Sequence, residues 1–397
     1  MSSTRQRILI SRPNAVTERH QLKLSVEVSG PRAGQIWFTV VAPRYRLTEG
    51  QNDAFVLPAY LHALHLGCDL HFDFAVSHRL LANLNDAIGP LLIAFAPDLF
   101  ASPISASAQG FLWGPLDGQR SVGSATGMSC GLDSFATTHY ASQFPMQSRR
   151  RLSALAHFDV GNHSPLGALD GGLYTERRAR ANAVAAQMQL PLFDIQSNAG
   201  EWIPGSFARL HTLRNASAAY LMHPHVGTYV YANGVRISDT TLAAKDSAYI
   251  DSLLLPLLST GYLEFIQGTP GWGSPEKTRA ILDDSAAQTH LNVCYFSGTN
   301  CGTCEKCLRR ALLIDSYGRL GDFSRVFNPV TFLQNRDWYI GYVLMRESSS
   351  PVMHELVNHL RASGYLSTGT TRYRWAWILR RIQNRMLRFL GRPRRPL

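Results

Sequence analysis

The sequence predicts an α/β protein: a parallel sheet wound with helices, preceded by an α+β domain and followed by a four-cysteine metal knot. Three observations carry this. Between Ser121 and Tyr231, short runs with strand character alternate with longer helical runs, the order that builds parallel sheets. Strand candidates there end in turns of glycine and small polar residues, the place where open α/β sheets hold ligands. Four of the six cysteines crowd into Cys294–Cys307, which is metal-ligand clustering and not a disulfide framework.

A chain of 397 residues with 45% hydrophobic and 17% charged content has room for two domains with real cores. The N-terminal stretch MSSTRQRILISRP carries no apolar signal segment, and uncharged runs such as Asn215 to Val235 are broken by His223, Pro224, His225 and glycines, so a cytoplasmic location is expected. The net charge of +11 sits mostly in residues 372–397, which hold nine arginines and no acid and leave 30 basic against 28 acidic residues before them. A body this close to neutral argues against a broad nucleic-acid groove, although a local patch stays open.

Residues 1–115 read as a separate α+β module, with strands at Leu22–Val28, Gln35–Val41, Leu70–Phe74 and Leu91–Phe95 and helices at Ala54–Leu66 and Ser77–Ala87. Asp69, His71 and Asp73 alternate along one strand side as a solvated face would. Pro103–Gly118, rich in Ser, Ala and Gly, reads as a linker.

The stretch SVGSATGMSCGLDS, Ser121–Ser134, then runs a buried strand into a small-residue turn that opens a helix, with Asp133 or Ser134 as its cap. A helix N-terminus presents unpaired N–H groups and partial positive charge, and glycine admits an anion close to the backbone, so the turn is a candidate phosphate cradle. Neither a Walker A loop nor a dinucleotide fingerprint is present. A second strand, Leu152–Val160, ends at Gly161, Asn162 and His163; helix Glu176–Leu190, strand Leu192–Ile195, helix Phe207–Met222 and strand Thr228–Tyr231 come after it. Pro256 limits the helix expected within Tyr249–Thr260, and Pro275 starts a short helix carrying Glu276 and Lys277.

The spacing Cys294-x6-Cys301-x2-Cys304-x2-Cys307 suits a tetrahedral zinc site. A four-iron cluster is the rival, because cysteines at this spacing also occur in ferredoxin-type sites, and the lack of a nearby Cys-Pro counts against it.

Ser129, Gly131, Asp133 and Ser134 match the Ser-Gly-Gly-x-Asp-Ser loop of the PP-loop ATP pyrophosphatases, with Cys130 in place of a glycine. Together with Gly161 and His163, Arg214 and Asn215, and Cys301, Gly302, Cys304 and Cys307 ahead of Arg309, the chain resembles the 7-cyano-7-deazaguanine synthase branch of that superfamily over residues 120–315. Tyr249–Asp251 and Glu276–Lys277 are weaker echoes of the same pattern. The resemblance implies a PP-loop domain of the Rossmann-like HUP type at 116–315 that ends in a four-cysteine zinc site, and it leaves the first 115 and last 80 residues unexplained; a helical extension is expected at 316–371 and a tail helix at 372–397. The resemblance further implies ATP with Mg2+, AMP and pyrophosphate as products, and a carboxylate or amide oxygen on a small-molecule substrate as the group activated. Ser129, Cys130, Gly131, Leu132, Asp133, Ser134, Gly161, His163 and Arg309 would bind ATP, with Asp133, Lys277 and Arg214 catalytic. Val160 where the family has tyrosine, and Thr212-Leu213 where it has Pro-Gly, point away from deazaguanine itself. A nucleotide-responsive binding protein without turnover, or a tRNA-thiolation enzyme, are the alternatives; the near-neutral body counts against the second.

In the tail, Trp375, Ile378, Leu379, Ile382, Met386, Phe389 and Leu390 share one helical face, while Arg374, Arg381, Arg385, Arg388 and Arg392 line the other side. The pattern fits either a helix lying at an anionic membrane surface or one that packs its apolar face on its own body or a partner.

Overall fold

The computed structural model describes residues 5–18, 21–42, 49–109, 123–161, 171–366 and 369–389. The chain divides into two compact units, residues 1–129 with 140–271 and residues 130–139 with 272–397.

Among the described residues, the first unit carries one mixed, mostly parallel sheet of eleven strands. In chain order they are β1 (Arg7–Ile10), β2 (Asn14–Glu18), β3 (Gln21–Ser29), β4 (Gly34–Val41), β5 (Asp69–Val76), β6 (Ile104–Gln109), β7 (Ser124–Gly127), β8 (Ala154–Asp159), β9 (Leu192–Ser197), β10 (Thr228–Tyr231) and β11 (Glu264–Gln267). Helices α1 (Val56–Leu66), α2 (His78–Asn83), α3 (Gly89–Phe95), α4 (Leu132–Ser142), α5 (Gly171–Met188), α6 (Ala199–Trp202), α7 (Phe207–Tyr220) and α8 (Asp251–Leu258) are interleaved with them. Across the sheet the order is β11-β10-β7-β8-β9-β4-β3-β1-β5-β6, with β2 on β3.

The parallel half has the expected alternation. β8 is buried at all six residues, as a central parallel strand flanked by helices should be, whereas β3 alternates between buried Leu22, Leu24, Val26 and Val28 and more exposed neighbours. β7, β8 and β9 step to one side, and the chain then returns to lay β10 and β11 on the other side of β7, all in parallel. The direction reverses between β7 and β10, a topological switch point, and the Met128–Gly131 turn leaves the sheet there.

Three features differ from the sequence reading. The module expected at residues 1–115 shares its sheet with the later strands, because β4 pairs antiparallel with β9, Val40 opposite Ile195, and one apolar core runs from Ile8 to Phe265. Leu91–Phe95, expected as a strand, lies in helix α3: Pro90 in the first turn presets helical backbone, and five apolar residues are too few for their period to separate strand from helix. Within the expected linker, Ile104–Gln109 is edge strand β6, paired in parallel with β5. Ser105 and Ser107 of β6 hydrogen-bond His71 of β5 at 2.9 and 3.0 Å, on the strand side expected to be a solvated polar face.

The second unit opens with most of α4 and continues with α9 (Ser274–Ala280), α10 (Ser285–His290), the cysteine-bearing loop, α11 (Glu305–Ser316), α12 (Pro329–Arg346), α13 (Pro351–Ala362) and α14 (Thr371–Phe389). α12 and α14 meet at Gly341, where a Cβ atom would stand 2.0 Å from the Tyr373 carbonyl oxygen, so only glycine allows the approach. Among the described residues, no helix is long and apolar enough to cross a membrane.

Candidate functional site

The turn after β7 is shaped by its own backbone. Cys130 is held at φ 58, the left-handed region that costs a residue with a Cβ roughly 1–2 kcal/mol and glycine nothing. The Cys130 carbonyl accepts the Asn292 N–H at 2.8 Å. Gly131 offers its carbonyl to the Phe135 N–H at 3.2 Å and to the Ser134 hydroxyl at 2.9 Å, so α4 begins tightly wound and Ser134 is buried. Asp133 stands in the first turn of α4, the favoured end for a carboxylate.

Lys277 comes to this carboxylate from α9. Pro275 and the Glu276 carboxylate, which accepts the Gly273 N–H at 2.9 Å, start that helix. Lys277 Nζ then lies 2.7 Å from Asp133 Oδ1, its side chain only 1% exposed while that of Asp133 is 44% exposed. A buried ammonium thus faces a carboxylate that water still reaches.

The helix after the cysteines adds more positive charge. Arg310 of α11 is buried, donating to the Thr278 hydroxyl and, at 3.2 Å, to the Ser274 hydroxyl of α9. Burial pulls its guanidinium down to about 9, with the charge of Arg309 acting the same way and Asp133 and Glu355 opposing. Lys306 lies 3.3 Å over the Tyr295 ring and feels the same Asp133 carboxylate. Lys277, Lys306 and Arg310 therefore share the field of Asp133. Arg309, whose charge reaches both Lys306 and Arg310, pairs with Glu305 one turn earlier at 3.1 Å.

Sequence reasoning named Lys277, Asp133 and Arg309 and missed Lys306 and Arg310. Their signal was the spacing Lys306-x-x-Arg309-Arg310 on a helix, which places all three on neighbouring faces.

Cys294, Cys301, Cys304 and Cys307 bring their sulfur atoms within 4.8 Å of one another, with 3.9 Å between Cys301 and Cys307. Sulfurs arranged tetrahedrally about a metal at ~2.3 Å stand roughly 3.8 Å apart, so the four thiols fit a closed four-coordinate metal site. The Cys294 N–H is fixed at 3.0 Å by Asn292 Oδ1, and Asn300 donates to the Leu291 carbonyl at 2.8 Å, which tie the loop down from both sides.

Arg214 belongs to the first unit. It is 2% exposed, and its two terminal nitrogens donate to the carbonyls of Val160, Gly200, Ile203 and Gly205 at 3.1–3.4 Å. Gly200 admits it, since a Cβ there would lie 2.8 Å from Nη1. Gly161 takes φ 94 and donates its N–H to Asp159 at 3.4 Å, while His163 lies outside the described residues. Asp251 of the weaker Tyr249–Asp251 echo is buried and accepts the Thr212 hydroxyl at 2.6 Å.

A polar network between β8, β9 and α5 had no counterpart in the sequence reading. Asp194 accepts the Tyr174 hydroxyl at 2.7 Å, pairs with Arg178 at 2.7 Å and meets His157 Nδ1 at 3.2 Å. Next to it Asp159 is 2% exposed, and burial pushes its carboxyl up to about 6. The partners are 16 to 37 positions apart, beyond any local pattern.

Comparisons with protein-family profiles, with curated protein sequences and with solved structures return no match to this chain.

Proposed function

We propose that the chain is an ATP-dependent adenylating enzyme of the PP-loop kind, which forms AMP and pyrophosphate while activating a carboxylate or amide oxygen for attack by a nitrogen or other nucleophile. The observation that carries this reading is the buried Lys277 ammonium 2.7 Å from Asp133 at the N-terminus of α4. Because the Asp133 carboxylate is itself 44% exposed, the ammonium behind it can be shared with an arriving anion, and phosphate is the anion that a helix N-terminus favours.

In this reading the backbone N–H groups of Cys130–Ser134 receive the pyrophosphate portion of ATP. The substrate oxygen attacks the α phosphorus, the bond from that phosphorus to the bridging oxygen breaks, and its electron pair leaves with pyrophosphate. Lys277 and Arg310 neutralise the charge gathering on the leaving group, and placement of the attacking oxygen supplies most of the remaining acceleration. Asp133 orients Lys277 and is the candidate protein ligand for phosphate-bound Mg2+, whose added positive charge would lower the same barrier. Zinc is the metal assigned to the four thiols, in a structural role, because four protein ligands leave no position for water. Arg214, with its donors engaged by four carbonyls, braces the first unit.

Pyrophosphate release from MgATP over a panel of carboxylic acids tests the proposal. Expected is substrate-dependent AMP and pyrophosphate, abolished by Asp133→Asn and by Ser134→Ala. ADP and phosphate as products would overturn it, since they place cleavage at the γ phosphorus. Tight ATP binding with no product over the whole panel would favour a nucleotide-responsive binding protein.

A further inference from the structure

Helix α14 does not use its apolar face to pack. The side that meets α12 is built from Tyr373, Trp377, Arg380 and Asn384: Tyr373 is buried at the Gly341 crossing, Trp377 stacks on Trp338 with 6.1 Å between centroids and meets Tyr342 edge-on at 5.2 Å, Arg380 covers the Trp338 ring at 5.2 Å, and Asn384 is buried. At 100° per residue these four lie within one narrow stripe. Trp375, Ile378, Leu379, Ile382 and Met386 fall on the opposite side and are 59%, 39%, 56%, 50% and 60% exposed. The exposed Arg374, Arg381 and Arg385 run along one flank of that apolar row.

We infer that this outward face of α14 docks on an anionic lipid bilayer, lying in the interface with its axis along the surface. Charge complementarity selects that occupant. Residues 372–397 carry nine arginines and no acid, so a second copy of the same face would bring arginine against arginine. Nucleic acid would satisfy the arginines but leave a row of tryptophan, isoleucine, leucine and methionine against a polar ligand. An anionic leaflet satisfies both, taking the apolar row below the headgroups and the arginines among the phosphates. The stripe on α12 holds the helix to the second unit at the same time, so docking requires no unfolding.

The test is co-sedimentation of the full chain with vesicles of phosphatidylcholine alone and of phosphatidylcholine with phosphatidylglycerol, at low and high salt. Binding is expected to the phosphatidylglycerol vesicles and to weaken with salt. Replacing Arg374, Arg381 and Arg385 together by glutamine should weaken it on the order of a hundredfold, at roughly fivefold for each charge. Leu379→Ser with Ile382→Ser should weaken it at least about tenfold by removing apolar contact. Since all five side chains are exposed, both variants should melt with the parent protein. Equal sedimentation with both vesicle types, or binding unchanged in the serine variant, would overturn the inference. So would concentration-dependent self-association, in the absence of vesicles, that the serine substitutions abolish, because the face would then belong to a second copy.

Discussion

Arg214 and Lys277 are both cations that the sequence singled out, and both are almost wholly buried, at 2% and 1% exposure, yet they sit in opposite kinds of surroundings. Arg214 is wrapped by four main-chain carbonyls, and burial pulls its guanidinium down to about 10. Its compensation comes from dipoles that are part of the fold. Lys277 instead pairs with a carboxylate, and that carboxylate is partly in water. Dipoles of the backbone cannot be exchanged for a ligand, whereas a half-exposed counter-ion can share its partner with an arriving anion. Asp159 shows a third solution, in which a buried acid keeps its proton to higher pH than a solvated one, and the four cysteines a fourth, in which sulfurs within 4.8 Å of each other can all ionise only around a cation.

Removing the zinc proposed for the four thiols should produce the largest effect. The protein is expected to contain one zinc per chain by elemental analysis, and chelation or Cys304→Ala should destabilise the second unit by an amount on the order of 10 kcal/mol, seen as loss of its cooperative melt. Iron with sulfide, or metal-free protein with an unchanged melt, would remove the cysteines from the comparison.

Next in size is Arg214→Ala, expected to cost about 3–5 kcal/mol in urea unfolding, because it leaves a cavity and deprives four carbonyls of their donors. If this variant keeps full stability and loses only activity, Arg214 is a site residue and the contrast with Lys277 fails.

Lys277→Met should do the reverse. Pyrophosphate formation is expected to fall about a hundredfold, or about 2.7 kcal/mol of transition-state stabilisation, while the unfolding free energy changes by less than about 1 kcal/mol, since water can solvate the Asp133 carboxylate left behind. A loss of stability as large as that of Arg214→Ala would make the ion pair a structural one.

The smallest effect concerns pH. Burial raises the Asp159 carboxyl from 3.8 to about 6, so the folded state binds its proton more tightly than the unfolded chain does. The stability this contributes is complete below about pH 4 and is lost as pH rises through 6, roughly 2–3 kcal/mol in all. Asp159→Asn should therefore flatten that portion of the stability profile between pH 4 and 6. Asp53, also raised to about 6 by burial, keeps its own slope and serves as the internal reference. A profile unchanged by Asp159→Asn would show that the carboxyl is solvated.

Some of this was determined by the chain read alone. Period and punctuation placed β3, β4, β8, β9, β10 and the helices between the last of them, because side-chain alternation and capping are local properties. Cysteines with only two or six residues between them can hardly avoid meeting, so their cluster was legible as well. The tertiary structure decided what depends on distant partners. Asp133 and Lys277 are 144 positions apart, and only folding of α9 against the start of α4 makes them an ion pair. Whether Arg214 faced a ligand or a ring of carbonyls rested on where Gly200 and the Ile203–Gly205 turn came to lie. The tail is the clearest division: its sequence specified an amphipathic helix, but which side it buries was settled by a glycine on α12 that lets Tyr373 approach and by the rings of Trp338 and Tyr342 that receive Trp377. Periodicity orders residues around a helix, and only a neighbouring surface determines which of them leave water.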